Sequence, residues 1–289
     1  MACERKFNES EATTGFFLLL GQQGNKAVLD WVMKEGLIPS RYECPKCKKD
    51  MRLVERKGTI DGFEWRCRVQ SKENPHFVCR SVRKGTWFSD SRLSICVILR
   101  LTRYWFGKSM NEFVVNDLKI NKNTVVDWYM FCREVCMVAC VNESAKLGGE
   151  GKIVEIDESL FGKMKYGKGK RVKVIREWIL PGTTIISDCW RAYECLSDEG
   201  YRHLTVNHSL TFKDPETGAH TNAIEGTWSA IKRNLKGHTA HVEGQFDSYL
   251  AEYMWRRSNE HKMIDANFKD YLKAIARVYP PHESDDQKQ

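Results

Sequence analysis

The sequence predicts a mixed α/β protein, and three observations support this fold class. Two short apolar runs end in Asp157 and Asp188, which is typical of buried strands that carry a carboxylate at their carboxyl ends. Glu225 lies at the start of a stretch with helical spacing. Cys44-x2-Cys47 is a knuckle that aims two thiolates at one point, as a tetrahedral metal site requires. A chain of 289 residues has room for one large core or for about two or three smaller units.

The composition describes a globular protein whose positive charge favours an anionic partner, with solvated basic faces as the alternative. Apolar residues make up 42% and charged residues 29% of the chain, and the net charge is +8. No apolar run approaches the roughly 18 residues of a membrane helix. The N-terminus has no basic region followed by an apolar stretch and a cleavage site, so we expect neither a membrane protein nor a secreted one. Eleven cysteines without such a signal therefore predict reduced thiols and a metal site.

Two N-terminal segments precede the helical middle of the chain. Residues 1–40 are predicted to be helical, with Ser10 or Thr13 as a cap. Residues 41–88 are predicted to form a zinc ribbon, in which the turn at Asp61-Gly62 joins two strands of a hairpin. The predicted zinc ligands are Cys44, Cys47, Cys67 and Cys79, with His76 as a substitute ligand. The alternative is a set of free structural cysteines.

Residues 89–147 have the pattern of a helical domain with a helix-turn-helix. An apolar helix over 91–105 is ended by Gly107, and Ser109 is a candidate cap for the next helix. A short polar link then leads to a further helix, at whose start Lys122 and Asn123 are placed to meet phosphates or base edges. Any small helical domain produces this pattern, so a structural role is the alternative.

Residues 148–279 carry the three carboxylates. Two strand-end aspartates and a helical glutamate can converge on a pair of divalent metal ions, an arrangement that drives phosphoryl transfer on nucleic acids. A basic loop with a predicted role in phosphate contact follows the first aspartate; its cations are Lys163, Lys165, Lys168, Lys170 and Arg171. The histidines in this region lack knuckle spacing, and we expect them to orient backbone or contact DNA; they are His203, His208 and His220. Residues 280–289 form a polar tail.

Several long stretches resemble one known family. They are G-G-E-G-K-I-V-E-I-D-E-S-L-F-G-K-M-K-Y-G-K-G-K-R (148–171), I-I-S-D-C-W-R-A-Y (185–193), the run from H-L-T-V-N-H to E-G-T-W-S-A-I-K (203–232) and Y-L-A-E-Y-M-W-R-R (249–257). The cysteine cluster and R-K-G-T-W-F, which ends at Phe88, also match. Over roughly residues 10–280 the chain resembles DDE transposases of the Merlin group, relatives of bacterial ISXO-type insertion-sequence transposases.

This resemblance implies a cut-and-paste transposase with an RNase H-like catalytic domain. Asp157, Asp188 and Glu225 would hold two Mg²⁺ or Mn²⁺ ions, and Lys232 would contact DNA phosphate two helical turns beyond Glu225. The implied partner is double-stranded DNA, both terminal inverted repeats and target, bound by a homo-oligomer. The implied location is the nucleus in a eukaryotic host and the cytoplasm otherwise.

The segment between the two aspartates is shorter than this fold needs. Thirty residues lie between Asp157 and Asp188, whereas the two antiparallel strands and the helix that come before the second aspartate strand in this fold need roughly 45. We expect a strand remnant over Arg171–Val174 and the last turns of a crossover helix over Ile175–Leu180, with about two strands and most of a helix missing between Val174 and Ile175. The strand that leads to Asp157 would then lie near an edge of the sheet. The alternative function is a catalytically inactive, transposase-derived DNA-binding protein.

Overall fold

The computed structural model describes residues 13–157, 171–188, 191–206, 214–235, 245–259 and 265–285. The chain divides into two compact units, one containing residues up to 139 together with those from 254 onward, and the other containing residues 140–253. This division places the C-terminal helix with the N-terminal segments, although the two lie at opposite ends of the sequence. The boundaries predicted at 40, 88 and 147 remain predictions.

The elements follow one another in an alternation of helices and short strands. Up to residue 142 they are α1 (Thr14–Gln22), α2 (Asn25–Lys34), β1 (Arg52–Glu55), β2 (Phe63–Val69), β3 (His76–Ser81), α3 (Ile95–Phe106), α4 (Asn111–Leu118) and α5 (Lys122–Asn142). The later elements are β4 (Leu147–Gly148), β5 (Ile153–Glu155), α6 (Arg171–Trp178), β6 (Ile179–Leu180), β7 (Thr184–Asp188), a 3-10 helix (Arg191–Glu199), β8 (Arg202–Val206), α7 (Asn222–Asn234), α8 (Gln245–Ser258) and α9 (Asp265–Val278). Among the described residues no helix is long and apolar enough to cross a membrane.

The first N-terminal helix begins at a cap that the sequence predicts. Thr13 is the N-cap of α1, and its hydroxyl accepts a hydrogen bond from the Phe16 N–H at 2.9 Å. Ser10, the other candidate cap, lies outside the described residues. The α1 helix buries Phe17 completely, and the ring of Phe17 meets that of Phe268 on α9 at a centroid distance of 6.0 Å. This contact is one reason why α9 belongs to the first unit.

A buried arginine closes the carboxyl end of α3. Arg256 donates to the carbonyl oxygens of Phe106 and Trp105 at 3.1 and 3.3 Å, and its guanidinium lies over the Trp105 ring at 4.7 Å. The last carbonyls of a helix have no partners inside the helix, so a cation there satisfies them and meets the negative end of the helix dipole. Arg256 therefore holds its own segment against α3.

The sheet β1-β2-β3 is antiparallel throughout, as a zinc ribbon predicts. The turn between β1 and β2 contains Asp61 and Gly62, and Gly62 has a φ of 71° that favours glycine. Asp61 is buried and forms a two-point ion pair with Arg83, whose Nη2 lies 2.6 Å from Asp61 Oδ1. The predicted hairpin is confirmed, and its aspartate also ties the turn to the segment after β3.

The helical middle of the chain differs from the prediction at one cap. Gly107 ends α3, as expected, but Ser109 does not cap α4, because the N-cap is Met110 and has no side-chain bond to the helix. The turn between α4 and α5 spans residues 119–121. Lys119 takes a left-handed conformation with φ 55°, and the Asn121 side chain accepts from the Asn123 N–H at 2.8 Å. Asn121 thus provides the cap from which α5 begins at Lys122.

The second unit contains the parallel sheet predicted for the two aspartate strands. The strand order is β5-β7-β8, and both pairs are parallel. The α6 helix lies between β5 and β7 in the sequence and covers one face of this sheet, where its Ile175 is buried with Ile185 and with Ile179 of β6. The strand β8 was not predicted. Since β7 lies between β5 and β8, Ile185 is fully buried.

One strand prediction in this unit is wrong. Arg171–Val174 belongs to α6 and is not a strand remnant, and the helix ends at Trp178 before the short strand β6. Ile175 on α6 is buried in one cluster with Ile185 of the sheet, and Ile179 on β6 joins this cluster. The expected edge position is confirmed: among the described strands β5 is outermost, and Ile153 is 65% exposed.

Candidate functional site

Three cysteines and one histidine meet beside the antiparallel sheet. The ligand atoms of Cys44, Cys47, Cys67 and His76 all lie within 4.8 Å of one another. His76 Nε2 lies 3.5 Å from Cys44 Sγ and 3.4 Å from Cys67 Sγ, and the two sulfurs of Cys47 and Cys67 are 3.7 Å apart. Backbone hydrogen bonds shape the knuckle, since the Lys48 N–H donates to the Cys44 carbonyl at 2.8 Å.

These distances fit a tetrahedral zinc ion. Zn–S bonds of about 2.3 Å and Zn–N bonds of about 2.0 Å give tetrahedron edges of about 3.8 Å between sulfurs and about 3.5 Å between sulfur and nitrogen. The Nδ1 atom of His76 lies 3.0 Å from the Asn74 carbonyl oxygen, so an N–H there leaves Nε2 unprotonated and turned toward the thiols. The cluster is compatible with structural zinc of the Cys3His type.

The fourth member of this cluster is His76, the predicted substitute ligand, and Cys79 lies outside the cluster. Cys67 pairs with Val78 across β2 and β3, so His76, two residues from Val78, lies on the same face as Cys67. Cys79 pairs with Arg66 on the opposite face. There, burial and a hydrogen bond to Glu64 raise the pKa of the Cys79 thiol.

The thiols of the cluster differ in acidity. Burial raises the pKa of Cys44, but hydrogen bonds from the backbone N–H groups of Cys47 and Lys46 outweigh burial and bring this pKa down to about 7. Burial and the neighbouring thiols raise the pKa of Cys67 to about 12. One of the sulfurs is therefore partly ionised at neutral pH even without a metal ion.

Asp157 and Asp188 lie at the same edge of the parallel sheet. Glu155 on β5 pairs with Ile186 on β7, and the Ile156 N–H donates to the Ile186 carbonyl at 2.9 Å, so the pairing continues past Glu155. Asp157 lies two residues after Glu155, and Asp188 lies two residues after Ile186. Because paired residues of parallel strands point to the same face, both carboxylates belong to the face opposite α6.

Glu225 enters the same region through α7. It lies in the first turn of this helix, and the Thr221 hydroxyl donates to Glu225 Oε1 at 2.9 Å. Thr221 is buried and Glu225 half-buried. The Thr221 bond holds the glutamate side chain back along the helix toward its N-terminal end, and this is the end that meets the sheet.

Glu155 joins α7 to the aspartate strand, and sequence reasoning missed it. Its Oε2 accepts hydrogen bonds from the Ala223 and Ile224 N–H groups at 3.1 and 3.0 Å, and its Oε1 lies 3.7 Å from His220 Nδ1. A carboxylate at this position satisfies two of the unpaired N–H groups of the helix and meets the positive end of its dipole. Glu155 and Asp157 are two residues apart, so they share a face of the strand. Asp157, Asp188 and the start of α7 therefore meet on one side of the sheet.

The two described histidines of this unit lie beside polar side chains, and their role in orienting backbone or contacting DNA remains a prediction. His203 on β8 lies with its Nε2 2.8 Å from the Ser187 hydroxyl, next to Asp188, and burial lowers the pKa of His203. His220 lies beside Glu155, directly before α7. His208 lies outside the described residues.

The predicted basic residues are partly described. Lys232 is exposed on α7, seven positions after Glu225, and Lys122 and Asn123 are exposed at the start of α5. Arg171 is the first residue of α6. The predicted lysines of the loop that precedes Arg171 lie outside the described residues; they are Lys163, Lys165, Lys168 and Lys170.

Comparison with known proteins covers the region of the three carboxylates. Residues 146–258 match the family model of the ISXO2-like transposase domain. An uncharacterized transposase-like protein of Haemophilus influenzae is 31% identical over 86 residues, which are 30% of this chain and 68% of that relative. No solved structure matches. The chain therefore belongs to the ISXO2-like transposase family.

Proposed function

We propose that the chain is a DNA transposase of the Merlin group whose RNase H-like unit cuts and joins DNA at transposon ends. The observation that carries this proposal is the capping of α7 by Glu155, because it brings the helix of Glu225 onto the face of Asp157 and Asp188. Family membership supports the same chemistry. The parallel pairing of β5 with β7 is retained although the connection between them is short.

The donor set suits hard divalent cations. Asp157, Asp188 and Glu225 offer only carboxylate oxygens, the ligands that Mg²⁺ and Mn²⁺ prefer. Held by these three carboxylates, two such ions would activate water or a DNA 3′-hydroxyl as the nucleophile and would stabilise the leaving oxygen. The protein's own part is positional: β5 and β7 bring up the aspartates, Thr221 orients Glu225, and Glu155 fixes the helix. No covalent enzyme intermediate is needed.

DNA is the partner in this proposal, with terminal inverted repeats and target both bound as double strands. Lys232 on α7 is exposed on the helix that carries Glu225, where it would meet a phosphate. Lys122 and Asn123 are exposed at the first turn of α5, where helix N–H groups also favour phosphate. The basic loop before α6 would add further phosphate contacts. We further propose that the protein acts as a homo-oligomer, in the nucleus if the host is a eukaryote.

A second candidate is a DNA-binding protein without catalysis. The exposed edge strand β5 favours it, because β5 carries Glu155 and leads to Asp157, and Ile153 on this strand is 65% exposed. A strand paired on one side only opens more easily than a central strand. Such opening would loosen the geometry that metal-dependent cleavage requires.

Metal-dependent cleavage separates the two candidates. Purified full-length protein is incubated with DNA that carries the terminal repeats flanking its own gene, in EDTA, Ca²⁺, Mg²⁺ or Mn²⁺. The catalytic proposal expects strand cleavage at the repeat ends in Mg²⁺ or Mn²⁺ only. Binding of the repeats without cleavage in any metal would favour the second candidate.

Glu155 provides a specific prediction for this site. We expect Glu155→Ala to lower the cleavage rate by about 10- to 100-fold, because α7 loses a cap worth about 1 kcal/mol and Glu225 loses its fixed position. Glu155→Gln keeps an acceptor oxygen and should retain most of the activity. Hydrogen exchange at the Ala223 and Ile224 amides is the second measurement: protection should fall in the alanine variant and persist in the glutamine variant. Equal rates in the two variants would contradict a positioning role.

A further inference from the structure

A carboxylate from the C-terminal segment lies in a cluster of donors on the ribbon segment, residues 41–88. Asp285 Oδ2 accepts from Arg80 Nε and Nη2 at 2.9 and 2.6 Å, and Oδ1 accepts from the Tyr42 hydroxyl at 2.8 Å. The Lys84 ammonium also donates to Oδ1. Both oxygens of one carboxylate are thus held by a guanidinium, an ammonium and a phenol.

The donor arrangement is one that also recognises phosphate. A guanidinium that presents two parallel N–H groups matches carboxylate and phosphate oxygens equally well, and a lysine adds a point charge. The Tyr42 ring is buried, so its hydroxyl is held in place at the cluster. Arg80 and Lys84 keep about a third of their side-chain surface in solvent, with values of 28% and 33%. The site is therefore open enough to solvent for a phosphate group of a nucleic-acid backbone to reach it.

The ribbon segment is strongly basic around this site. It contains thirteen Lys and Arg residues against six Asp and Glu residues, and so carries most of the chain's net charge of +8. Asp285 is held in its charged form, because the hydrogen bonds from Arg80 keep the pKa of this carboxyl well below its usual range. The tail therefore places a permanent negative charge on a surface that otherwise favours polyanions.

The tail is attached by contacts that a competitor can break. Beyond α9, which ends at Val278, the Glu43 N–H donates to the Glu283 carbonyl at 2.6 Å, and Arg41 pairs with the Glu283 side chain in an exposed ion pair. Exposed pairs of this kind contribute little stability. Residues 279–285 thus form a strap over the ribbon segment, and the Asp285 carboxylate is its main charged contact.

We propose that Tyr42, Arg80 and Lys84 form a binding site for a DNA phosphate, and that Asp285 occupies it as an intramolecular competitor until DNA displaces the strap. This inference rests on the proposed binding of DNA. A tethered carboxylate has an effective concentration on the order of millimolar. A single phosphate ion competes poorly with it, whereas a duplex that makes several phosphate contacts at once competes well.

The test compares two tail variants with the same change in net charge. Full-length Asp285→Asn and Glu283→Gln are titrated with a short fluorescent duplex of arbitrary sequence over a range of salt concentrations. We expect Asp285→Asn to bind several-fold more tightly at low salt, with a salt slope steeper by about 1 to 2, since each new phosphate contact adds about 0.9. Glu283→Gln, which does not touch the three donors, should bind like the wild type.

A further substitution, at Arg80, tests whether the gain in DNA affinity arises at the three donors. Adding Arg80→Gln to Asp285→Asn should remove the increase in affinity, whereas Arg80→Gln alone should change the affinity little, because it removes both a phosphate contact and the main contact of the competing Asp285. Equal gains in DNA affinity in Asp285→Asn and Glu283→Gln would show that the change in net charge alone raises the affinity, and this would overturn the proposal. A lower melting temperature in Asp285→Asn without any gain in affinity would overturn it as well, leaving a structural strap. Absence of DNA binding in the wild type and every variant would overturn the proposed function together with this inference.

Discussion

Replacing Asp157 by alanine is expected to lower the rate of metal-dependent DNA cleavage by about a thousandfold or more. Asp157 and Asp188 lie two residues beyond the paired Glu155 and Ile186, and in the proposed site the loss of a metal ligand would remove charge stabilisation worth several kcal/mol in the transition state. The fold should survive, because Asp157 follows β5 and is not part of a buried apolar cluster. The measurements are the single-turnover cleavage rate and Mn²⁺ binding followed by electron paramagnetic resonance.

Two further variants make this prediction specific. The double variant Asp157→Ala/Asp188→Ala should be no slower than either single variant, since residues that act as one unit are not additive. Glu177→Ala is the matched control, because Glu177 is an exposed carboxylate on α6, the helix that covers the opposite face of the sheet. Cleavage by Asp157→Ala at the wild-type rate would refute the assignment of this carboxylate to the metal site.

Replacing His76 by alanine is expected to remove zinc from the protein and to unfold the ribbon segment, whereas Cys79→Ala should keep its zinc. The histidine nitrogen lies within 3.5 Å of two thiols, while Cys79 lies on the other face of β3. Metal binding supplies about 10 to 16 kcal/mol in small zinc modules, so losing one of four ligands costs several kcal/mol of stability here. The readouts are the zinc-to-protein ratio and the thermal unfolding of the intact chain.

The two zinc variants are matched in position and in the sheet they occupy. Both residues lie on β3, three positions apart, so a general weakening of the strand would affect them alike. Zinc retained in His76→Ala but lost in Cys79→Ala would reverse the assignment and restore Cys79 as the fourth ligand. Adding zinc should raise the melting temperature of the wild type and of Cys79→Ala only.

Much of the carboxylate site could be predicted from local patterns. The apolar runs that end in Asp157 and Asp188 predict strands, and parallel strands bring their carboxyl ends to one edge of a sheet. The helix around Glu225 follows from its spacing. In contrast, Glu155 reads as an ordinary polar residue in a strand, and its bonds to the α7 amides exist only after residues 68 and 69 positions away have been brought to it. No local signal marks such a contact.

The crossover between the aspartates shows where a local pattern misleads. A run such as Arg171–Val174 is too short to separate strand from helix by its periodicity. In the structure this run is the first turn of α6, which is held against the sheet by the burial of Ile175 with Ile185. The strand β8 was missed because its pairing with β7 is a long-range contact without a turn signal.

The cysteine knuckle, the two aspartate strands, most of the helices and the family could be predicted from the sequence, because each depends on residues that are neighbours in the chain. Three features needed the folded chain: the place of His76 in the cysteine cluster, the cap that Glu155 provides for α7 and the strap that ends in Asp285. These three depend on strand register or on contacts between distant segments. Register turns alternate residues to opposite faces, so His76 and Cys79 exchange roles with a shift of one residue.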